Sequence, residues 1–360
     1  MRVFKFYPEH RAKFHFGECG GKLKELFSSD QLFSAIYNCA VMLYGSDERE
    51  NLLLNKFLNM SFSSLYYGLS FVNQTTKETK EVFFLPRPLA PIERKNGNRD
   101  LLSHKKTKKI SYLSRDAFRL LLNSWKDQEK YFDYNLLEFE VLGGKFACTK
   151  KELEFLQADA PDSKIITSAL EKLKIFKLET DPKVVVSRVN DQSDNFYFQD
   201  AAEITYHRLG SYIIRPFFYF ICQGEANKQL AAAVRLLADE GLGGKRSQGM
   251  GLLGQVAEEE WDEHTFSGQG QYYLSLSTVY PKENEVDKLV YYGLTERSGY
   301  IYSQYGRPLR KKRVRLLKEG SVFSGKISGQ IIDLRPESFK EHQVYLNGKA
   351  FLVPMGGVKA

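Results

Sequence analysis

The sequence predicts an α+β protein in which antiparallel sheets are covered by helices on one face. Three observations lead to this class. Strand-like segments at the start of the chain are followed by an amphipathic helix over 30–45. A second unit of strand, helix and strand spans 211–258, and short strand-like segments follow beyond about 270. The first two units together match the βαββαβ order of a ferredoxin-like core.

The first unit is indicated by aromatic clustering and by helical spacing. The strand-like segments are 2–8 (RVFKFYP), 13–18 (KFHFGE), 62–72 and 82–85, and they alternate or cluster apolar side chains as strands do. Within 30–45 the apolar side chains recur at the spacing of one helix face, at Leu32, Ile36, Cys39 and Leu43. Ser28, Ser29 or Asp30 can cap the start of this helix, and Gly45 can end it.

A basic stretch over 93–115 interrupts the domain, and we interpret it as a protruding loop or hairpin because Asn-Gly-Asn at 96–98 is a turn signal. Further helices are expected at 116–129, 150–158 and 163–174, the second behind a T-x-x-E capping box of Thr149 and Glu152. Strands are expected at 184–189, 211–221 and 251–258, and a helix at 228–240 with Leu230, Ala233, Val234 and Leu237 on one face. The acidic stretch 258–271 is interpreted as a linker to a strand-rich domain over 270–360.

Composition restricts the class of protein. The 360 residues are 42% hydrophobic, and no apolar run has the length of a signal peptide or membrane span, so we expect a soluble, cytoplasmic protein. The cysteines, Cys19, Cys39, Cys148 and Cys222, are dispersed, which favours free buried thiols over a disulfide framework or a zinc site. No metal or cofactor is expected.

The net charge of +8 is concentrated in two tracts. Residues 93–115 carry eight Lys or Arg against two acids, and residues 307–318 carry seven against none, so the rest of the chain is acidic. Such patches are typical of proteins that bind a polyanion such as nucleic acid, although one charged run alone is as often a solvated face. Tyrosines beside the tracts, Tyr112, Tyr300, Tyr302 and Tyr305, are candidates for base stacking, although core packing is the commoner role of each.

The segment GLGGKRSQGMG, 241–251, holds five glycines and a Lys-Arg pair. It is not a Walker A loop, because Arg246 follows the lysine and Asp239 occupies the place of the first glycine. It is not a dinucleotide loop either, since it follows a helix and leads into a strand. Gly241 is explained as a helix C-cap, and a plain helix-to-strand connection remains an alternative. The remaining glycines and the two cations favour close approach to the backbone of single-stranded nucleic acid.

Catalytic motifs are sparse. None of the six histidines lies in HExxH or H-x-E context, and no GxSxG occurs. His15 is the best candidate for a general base, as in a metal-free ribonuclease. A histidine on a strand is more often a structural or RNA-contacting group, so we expect no catalytic residue.

Several stretches together resemble one family. FHFGE, SDQLFSAI, FFLPRPLAP with KKISYLS, LADEGLGGKRSQGMG, VRLLKEGSVF and HQVYLNGKAFLVP occur in the order found in the fourth subunit of the Csm complex. That subunit is a RAMP-superfamily protein of type III-A CRISPR effectors. The match spans nearly the whole chain, and GGKRSQGMG combined with SDQLFSAI and EGSVF is specific, whereas the glycine loop alone indicates only a RAMP protein.

The resemblance implies a ferredoxin-like RAMP domain over 1–258, with a basic β-hairpin thumb at about 87–111 and a helical insertion at about 116–200, and a second, degenerate ferredoxin-like domain over 270–360. It implies a structural subunit that holds the 5′ repeat-derived tag of CRISPR RNA (crRNA), contacts the guide-target RNA duplex, and bridges the large polymerase/cyclase-type subunit and the backbone RAMP subunit. The expected RNA-binding residues are His15, Ser28, Ser29, Asp30, Gly243, Gly244, Lys245, Arg246, Ser247, Gln248, Gly249 and Gly251, with Arg87, Lys105, Lys106, Lys108 and Lys109 on the thumb.

Two other functions stay open at this level. Some RAMP relatives process crRNA without a metal, so an endoribonuclease that uses His15 is the alternative. A protein-interaction module whose basic tracts face acidic partners is the third.

Overall fold

The computed structural model describes residues 1–19, 22–23, 26–45, 55–57, 59–93, 106–157, 163–190, 192–224, 228–266, 268, 270–301 and 309–356. It is a mixed α+β structure with several sheets, as the sequence predicts. The α-helices are α1 (Ser29–Tyr44), α2 (Arg115–Asn123), α3 (Glu154–Gln157), α4 (Ser163–Glu171) and α5 (Lys228–Glu240), and residues 55–57 and 106–109 are also helical.

The strands before residue 150 are β1 (Arg2–Tyr7), β2 (Lys13–Phe14), β3 (Glu18–Cys19), β4 (Lys22–Leu23), β5 (Ser61–Phe62), β6 (Tyr66–Asn73), β7 (Thr79–Pro86), β8 (Tyr112–Ser114), β9 (Trp125–Lys126), β10 (Tyr131–Phe132), β11 (Glu140–Leu142) and β12 (Phe146–Cys148). Those in the middle of the chain are β13 (Phe176–Val186), β14 (Ser193–Ile204), β15 (His207–Leu209), β16 (Tyr212–Gln223) and β17 (Gln255–Glu260). The later strands are β18 (Tyr273–Ser275), β19 (Leu289–Tyr291), β20 (Leu294–Arg297), β21 (Val314–Leu317), β22 (Val322–Phe323), β23 (Gly329–Asp333), β24 (Tyr345–Lys349) and β25 (Leu352–Pro354).

The largest sheet has the strand order β11-β12-β8-β7-β6-β16-β1-β17, and β5 and β15 also pair with β16. Its four strands β6, β16, β1 and β17 are antiparallel to their neighbours. Helix α1 follows β1 in the chain and α5 follows β16, and the two helices pack against each other. Leu32 and Ile36 of α1 and Leu237 of α5 are buried in one cluster with Phe4 and Phe6 of β1. Both helices therefore cover the same face of the sheet.

The opposite face of the sheet is covered by other parts of the chain. Val3 alternates with Phe4 along β1 and belongs to a second cluster, which contains Phe118 of α2. Leu274 of β18 and Val353 of β25 are buried in that same cluster. Residues on both sides of 258–271 thus share one apolar core.

The strand expected over 13–18 is divided into Lys13–Phe14 and Glu18–Cys19, and further expected element bounds were also wrong. The helix expected over 116–129 ends at Asn123, because the β9–β10 hairpin begins directly after it. The strand expected over 251–258 begins only at Gln255, since Gly251 and Gly254 have φ values of 91° and 72° that a strand does not permit. The strand expected over 184–189 is the end of a longer one, β13, which starts at Phe176.

Other local expectations are confirmed. In the capping box, the Thr149 N–H donates to the Glu152 carboxylate at 2.9 Å, and the Glu152 N–H donates to Thr149 Oγ1 at 3.3 Å. Gly45 ends α1 with φ 80°. Cys39, Cys148 and Cys222 are buried free thiols. Over the described ranges, no helix has the length and apolarity needed to cross a membrane.

Candidate functional site

A cleft of about 450 Å³ lies where the glycine loop meets α1 and the later part of the chain. One wall is the loop itself, with Gly243, Gly244 and Arg246. The wall from α1 presents polar side chains at helical spacing, at Asp30, Gln31, Ser34 and Asn38. The third wall contains Arg297, Ser298 and Lys311. Charged, polar and apolar side chains therefore meet around a space that has the volume of a small-molecule binding pocket.

The glycine loop is held to the rest of the protein by backbone hydrogen bonds. The Gly244 N–H donates to the His15 carbonyl at 2.8 Å, and the Gly251 N–H donates to the Lys13 carbonyl at 2.8 Å. The Leu242 N–H closes the base of the loop by donating to the Gly251 carbonyl at 2.8 Å. Between these anchors, residues 244–249 are exposed and include a 3-10 turn at Arg246–Gln248. The loop thus presents a short exposed turn on a fixed base.

Two of the glycines are required by this anchoring. At Gly243 the backbone has φ 93°, and a Cβ atom would lie 2.6 Å from the His15 carbonyl oxygen. At Gly251 φ is 91°, and a Cβ atom would lie 2.4 Å from the Leu242 carbonyl oxygen. The close approach of backbone that the sequence suggested is therefore made within the chain at these two positions. Gly249, with φ 80° and open space around it, has no such neighbour.

We expect Gly243→Ala to lower the free energy of unfolding by about 2–4 kcal/mol, because it combines backbone strain with a clash against the His15 carbonyl. Gly249→Ala is the matched control, since φ is also positive there but nothing lies within 4 Å. That control should cost only about 1–2 kcal/mol. Urea unfolding of the two variants would measure the difference, and equal losses would contradict the packing described here.

His15, one of the expected RNA-binding residues, lies directly against the loop. Its Cδ2 atom is 3.1 Å from where a Cβ atom on Gly244 would lie. The Nδ1 atom is buried and makes no hydrogen bond among the described residues. The ring is therefore beside the loop that a ligand would contact.

The start of α1 is engaged with the later part of the chain. Asp30 accepts two hydrogen bonds from Arg297, at 2.6 Å from Nε and 2.9 Å from Nη2, and one from Thr278 at 2.9 Å. Arg297 Nη2 also donates to Ser28 Oγ at 2.6 Å. Ser29 Oγ lies 2.9 Å from Thr278 Oγ1. These three expected RNA-binding side chains are buried, and of them only Asp30 lines the cleft.

Lys311 brings a further cation into the cleft. Burial lowers the pKa of its ammonium below the ordinary value, while the nearby Asp30 carboxylate raises it. Burial also raises the pKa of Glu319, which accepts a hydrogen bond from Ser64 close to the same network. The polar interior next to the cleft thus joins residues from distant parts of the sequence.

The described residues expected on a thumb, Arg87, Lys106, Lys108 and Lys109, do not line this cleft. Arg87 is directed at its own chain, since Nη1 donates to the carbonyls of Thr107 and Ile110 at 2.7 and 3.2 Å. Lys106, Lys108 and Lys109 are exposed, and Lys105 lies outside the described residues together with 94–104. Arg87 therefore fastens the base of this insertion.

A long hairpin, β13–β14, pairs residues from Phe176↔Ile204 to Val186↔Ser193. Its outer half exposes large apolar side chains, among them Val184, Val185, Phe196 and Phe198. Phe196 and Phe198 contact each other edge to face at 5.1 Å. Among the described residues this hairpin is therefore a long β-ribbon with an exposed apolar outer half.

Reasoning from the sequence did not identify Arg297 and Lys311 as cleft residues. Lys311 lies in the second basic tract, so charge density was a usable signal for it. Arg297 stands alone between Glu296 and Ser298, and nothing local distinguishes it. The polar positions of α1, at Gln31, Ser34 and Asn38, follow a helical period that identifies a shared face.

Comparison with known proteins gives concordant results. A model of the CRISPR Csm4 C-terminal domain matches residues 268–355. The "CRISPR system Cms protein Csm4" of Methanocaldococcus jannaschii is 28% identical over 395 aligned residues, covering 98% of this chain and 97% of the relative. A chain in the crystal structure of the Csm3-Csm4 subcomplex of a type III-A CRISPR-Cas interference complex shares the fold, with a TM-score of 0.63, 23% identity, and 99% and 100% of the two chains covered. So does a chain of a Csm1-Csm4 cassette in complex with pppApA, with a TM-score of 0.54, 16% identity, and 100% and 99% covered.

The mixed α+β architecture, with a glycine loop beside a cleft on the helix-covered side of a large sheet, is consistent with a RAMP-like protein. Two findings narrow this class to Csm4-like proteins. The relative from Methanocaldococcus jannaschii is similar along nearly the whole length, and the C-terminal region matches the Csm4 C-terminal domain. The chain is thus similar to Csm4 proteins over nearly its whole length, which is the resemblance found in the sequence.

Proposed function

We propose that this protein is an RNA-binding structural subunit of a type III-A CRISPR effector complex and that its cleft holds the 5′ repeat-derived tag of crRNA. One observation carries the proposal: an exposed turn with Lys245 and Arg246 stands on a rigid base at the edge of a cleft whose lining includes Arg246, Arg297 and Lys311. A single-stranded polyanion of nucleotide width suits both the charge and the size of that space.

The exposed turn has donors available for phosphate. Within the described residues, the backbone N–H groups of Lys245, Arg246 and Ser247 donate no hydrogen bond to the protein. Lys245 has a left-handed backbone, with φ 61°. The Arg246 guanidinium has only a long contact of 4.0 Å to Glu240, so it is available to an anion. We assign the contacts with the tag to these residues, to Gln248 and Gly249, and to Gly244 with His15 beside it.

We infer that β1, α1, β6, β16, α5 and β17 form the ferredoxin-like core of a RAMP domain over 1–258. The spatial order β17-β1-β16-β6, with one helix after β1 and one after β16, supports this inference. The strand-rich region over 270–360 would be the second, degenerate domain. In this scheme α1 and α5 cover the sheet while the loop after α5 meets RNA.

The partners proposed for this chain follow from its relatives. The similar solved chains are named as parts of a Csm3-Csm4 subcomplex and a Csm1-Csm4 cassette. We propose that this protein likewise bridges a large Csm1-type subunit and a Csm3-type backbone subunit, in the cytoplasm, without a cofactor and without catalysing a reaction.

The thumb that meets the guide-target duplex was placed at about 87–111 in the sequence, and that placement remains a proposal. The β13–β14 hairpin supports a different assignment, because apolar side chains such as Phe198 at its exposed end could wedge between bases. We propose this hairpin as an alternative thumb to 87–111, and in either case we expect Lys106, Lys108 and Lys109 to contact phosphates.

We expect Lys245→Gln with Arg246→Gln to weaken binding of tag-containing crRNA at least about tenfold, since charge-assisted hydrogen bonds contribute about 1.5–3 kcal/mol each. The slope of log affinity against log salt should fall by about 1.4, because each phosphate contact to single-stranded RNA contributes about 0.7. Filter binding of the full chain across a salt series measures both quantities.

Lys326→Gln with Lys340→Gln is the matched control, since it removes the same net charge from exposed positions outside the cleft. Equal losses in both double variants would show nonspecific attraction and contradict the proposed site. The nuclease alternative is tested in the same samples by incubating repeat RNA with the protein in EDTA. Specific cleavage that is lost in His15→Ala would overturn the structural role.

A further inference from the structure

The rim of the cleft opposite the glycine loop is formed by the β20–β21 hairpin and its continuation. Leu294–Arg297 pairs with Val314–Leu317 in an antiparallel ladder. The pairing extends beyond β20 through a bridge between Tyr300 and Arg310, and the Ile301 N–H donates to the Leu309 carbonyl at 2.8 Å. Ile301 and Leu316 are buried in a small apolar cluster beneath this hairpin. The rim is therefore a fixed element.

Side chains of this rim divide between the cleft and the solvent. Arg297 and Lys311 line the cleft. Arg310 and Lys312, on either side of Lys311, are exposed, as is Arg315. Tyr300 is 58% exposed. A strand of RNA that leaves the cleft past Lys311 would therefore meet a second set of cations and an aromatic ring directly outside it.

The outer cations of the rim are available for a ligand. Arg313 is paired with Glu296. Among the residues that the structure describes, Arg310, Lys312 and Arg315 have no carboxylate within 4.0 Å. Three cations within six residues create a local positive field along this edge of the hairpin, although Glu296 lies opposite Arg315 in the ladder.

The geometry of Tyr300 favours nucleic acid over an acidic protein as the ligand. The Arg310 guanidinium lies 5.6 Å from the centroid of the Tyr300 ring, and its Nε donates to the Tyr300 hydroxyl at 3.4 Å. This contact orients the ring while it remains largely open to solvent. Exposed aromatic rings and guanidinium planes beside cations are the platform on which single-stranded bases stack.

We propose that the outer face of this rim, comprising Tyr300, Arg310, Lys312 and Arg315, is a second binding surface for single-stranded RNA, continuous with the cleft. Tyr300 stacks one base, and the three cations hold the phosphates on either side of it. The inference rests on the proposed function of the cleft and extends it, since RNA longer than the cleft can hold would be bound in two successive parts.

The test compares oligouridylates of about eight and about sixteen nucleotides, a range that spans common single-strand site sizes. Tyr300→Ala should weaken binding of the longer RNA by about 5- to 150-fold, the loss typical of one stacked base, and leave the shorter RNA unaffected. Tyr300→Phe keeps the ring and should retain the affinity. Replacing Arg310, Lys312 and Arg315 with Gln should lower the salt slope for the longer RNA by about two.

The outcomes separate this surface from the cleft. Loss of both RNAs in the Lys245→Gln and Arg246→Gln variant, with the Tyr300 and cation variants unchanged, would overturn the second surface and leave the cleft assignment standing. If neither RNA bound the unaltered chain at low salt, the proposed function and this inference would both fail. Rim variants that keep RNA affinity but no longer co-purify with neighbouring subunits would assign the surface to a protein partner and also overturn the inference.

Discussion

Replacing Asp30 with alanine is expected to lower the free energy of unfolding by about 3–5 kcal/mol, the usual cost of removing one partner of a buried ion pair. Arg297 donates to both carboxylate oxygens, at 2.6 and 2.9 Å, and the two side chains are only 4% and 11% exposed. The variant would leave the guanidinium buried without the Asp30 carboxylate, while its hydrogen bonds to Ser28, Thr295 and the Glu296 carbonyl remain. Thr278 would also lose the acceptor of its hydroxyl.

Chemical denaturation of Asp30→Ala, Arg297→Met and the double variant measures this coupling as a double-mutant cycle. The double variant should be less destabilised than the sum of the single variants, because neither charge is then left alone. Glu296→Ala is the control, because Glu296 directly precedes Arg297 in β20 and its ion pair with Arg313 is at the surface. This variant should have no measurable effect. Additive losses in the cycle would contradict the pairing.

Asp30→Ala should also weaken RNA binding, which is the proposed function. Asp30 belongs to α1, and Arg297 to the hairpin that forms the opposite rim of the cleft. Because this pair ties two walls of the cleft together, Asp30→Ala should weaken RNA binding even under conditions where the chain remains folded. The affinity for tag-containing RNA would be measured at a temperature well below the unfolding transition. Unchanged affinity would show that RNA binding in the cleft does not depend on the Asp30–Arg297 ion pair.

The sequence predicted best where the signal is local. The spacing of Leu230, Ala233, Val234 and Leu237 identified the buried face of α5, and all four are buried. The same reasoning placed Leu43 on the buried face of α1, but it is 44% exposed because it lies in the last turn. The helical period thus identifies which face of a helix is apolar. How many turns of that face are buried depends on tertiary packing.

The cleft could be predicted only in part, because it is assembled over long sequence distances. The loop and His15 were both identified, and the backbone contacts between them are present. The excess of glycine was attributed to a ligand, but Gly243 and Gly251 are needed where two backbone segments of this chain meet. The pairing of Asp30 with Arg297, separated by 267 residues, has no local signature at all.

The acidic stretch 258–271 shows how composition can conceal a core residue. Its charge and small residues suggested a linker, but Trp261 is buried and contacts Phe83 edge to face at 5.0 Å. The Arg115 guanidinium lies 5.1 Å from the centroid of the indole. The backbone N–H of Trp261 also donates to the Met1 carbonyl at 2.8 Å. A single buried aromatic residue thus anchors the stretch that follows β17.

Trp261→Ala is therefore expected to lower the free energy of unfolding by about 3–5 kcal/mol, the range for truncating a large buried aromatic side chain. A linker residue would instead give a change within about 0.5 kcal/mol, so the two interpretations differ by several kcal/mol. Urea unfolding followed by far-UV circular dichroism measures the loss. Trp261→Phe, which keeps a ring against Phe83, should recover most of it.

The effect of Trp261→Ala should also extend beyond its own position. Trp261 shares one cluster with Tyr219 of β16 and with Leu274 and Val353 of the later strands, so its removal loosens the contact between the main sheet and the region after 270. We expect faster proteolysis of the 258–271 stretch in the variant, with the Phe replacement resembling the unaltered chain. If the variant cleaved no faster and unfolded at the same urea concentration, Trp261 would not connect these regions, and the separation of the chain at a linker would be the better description.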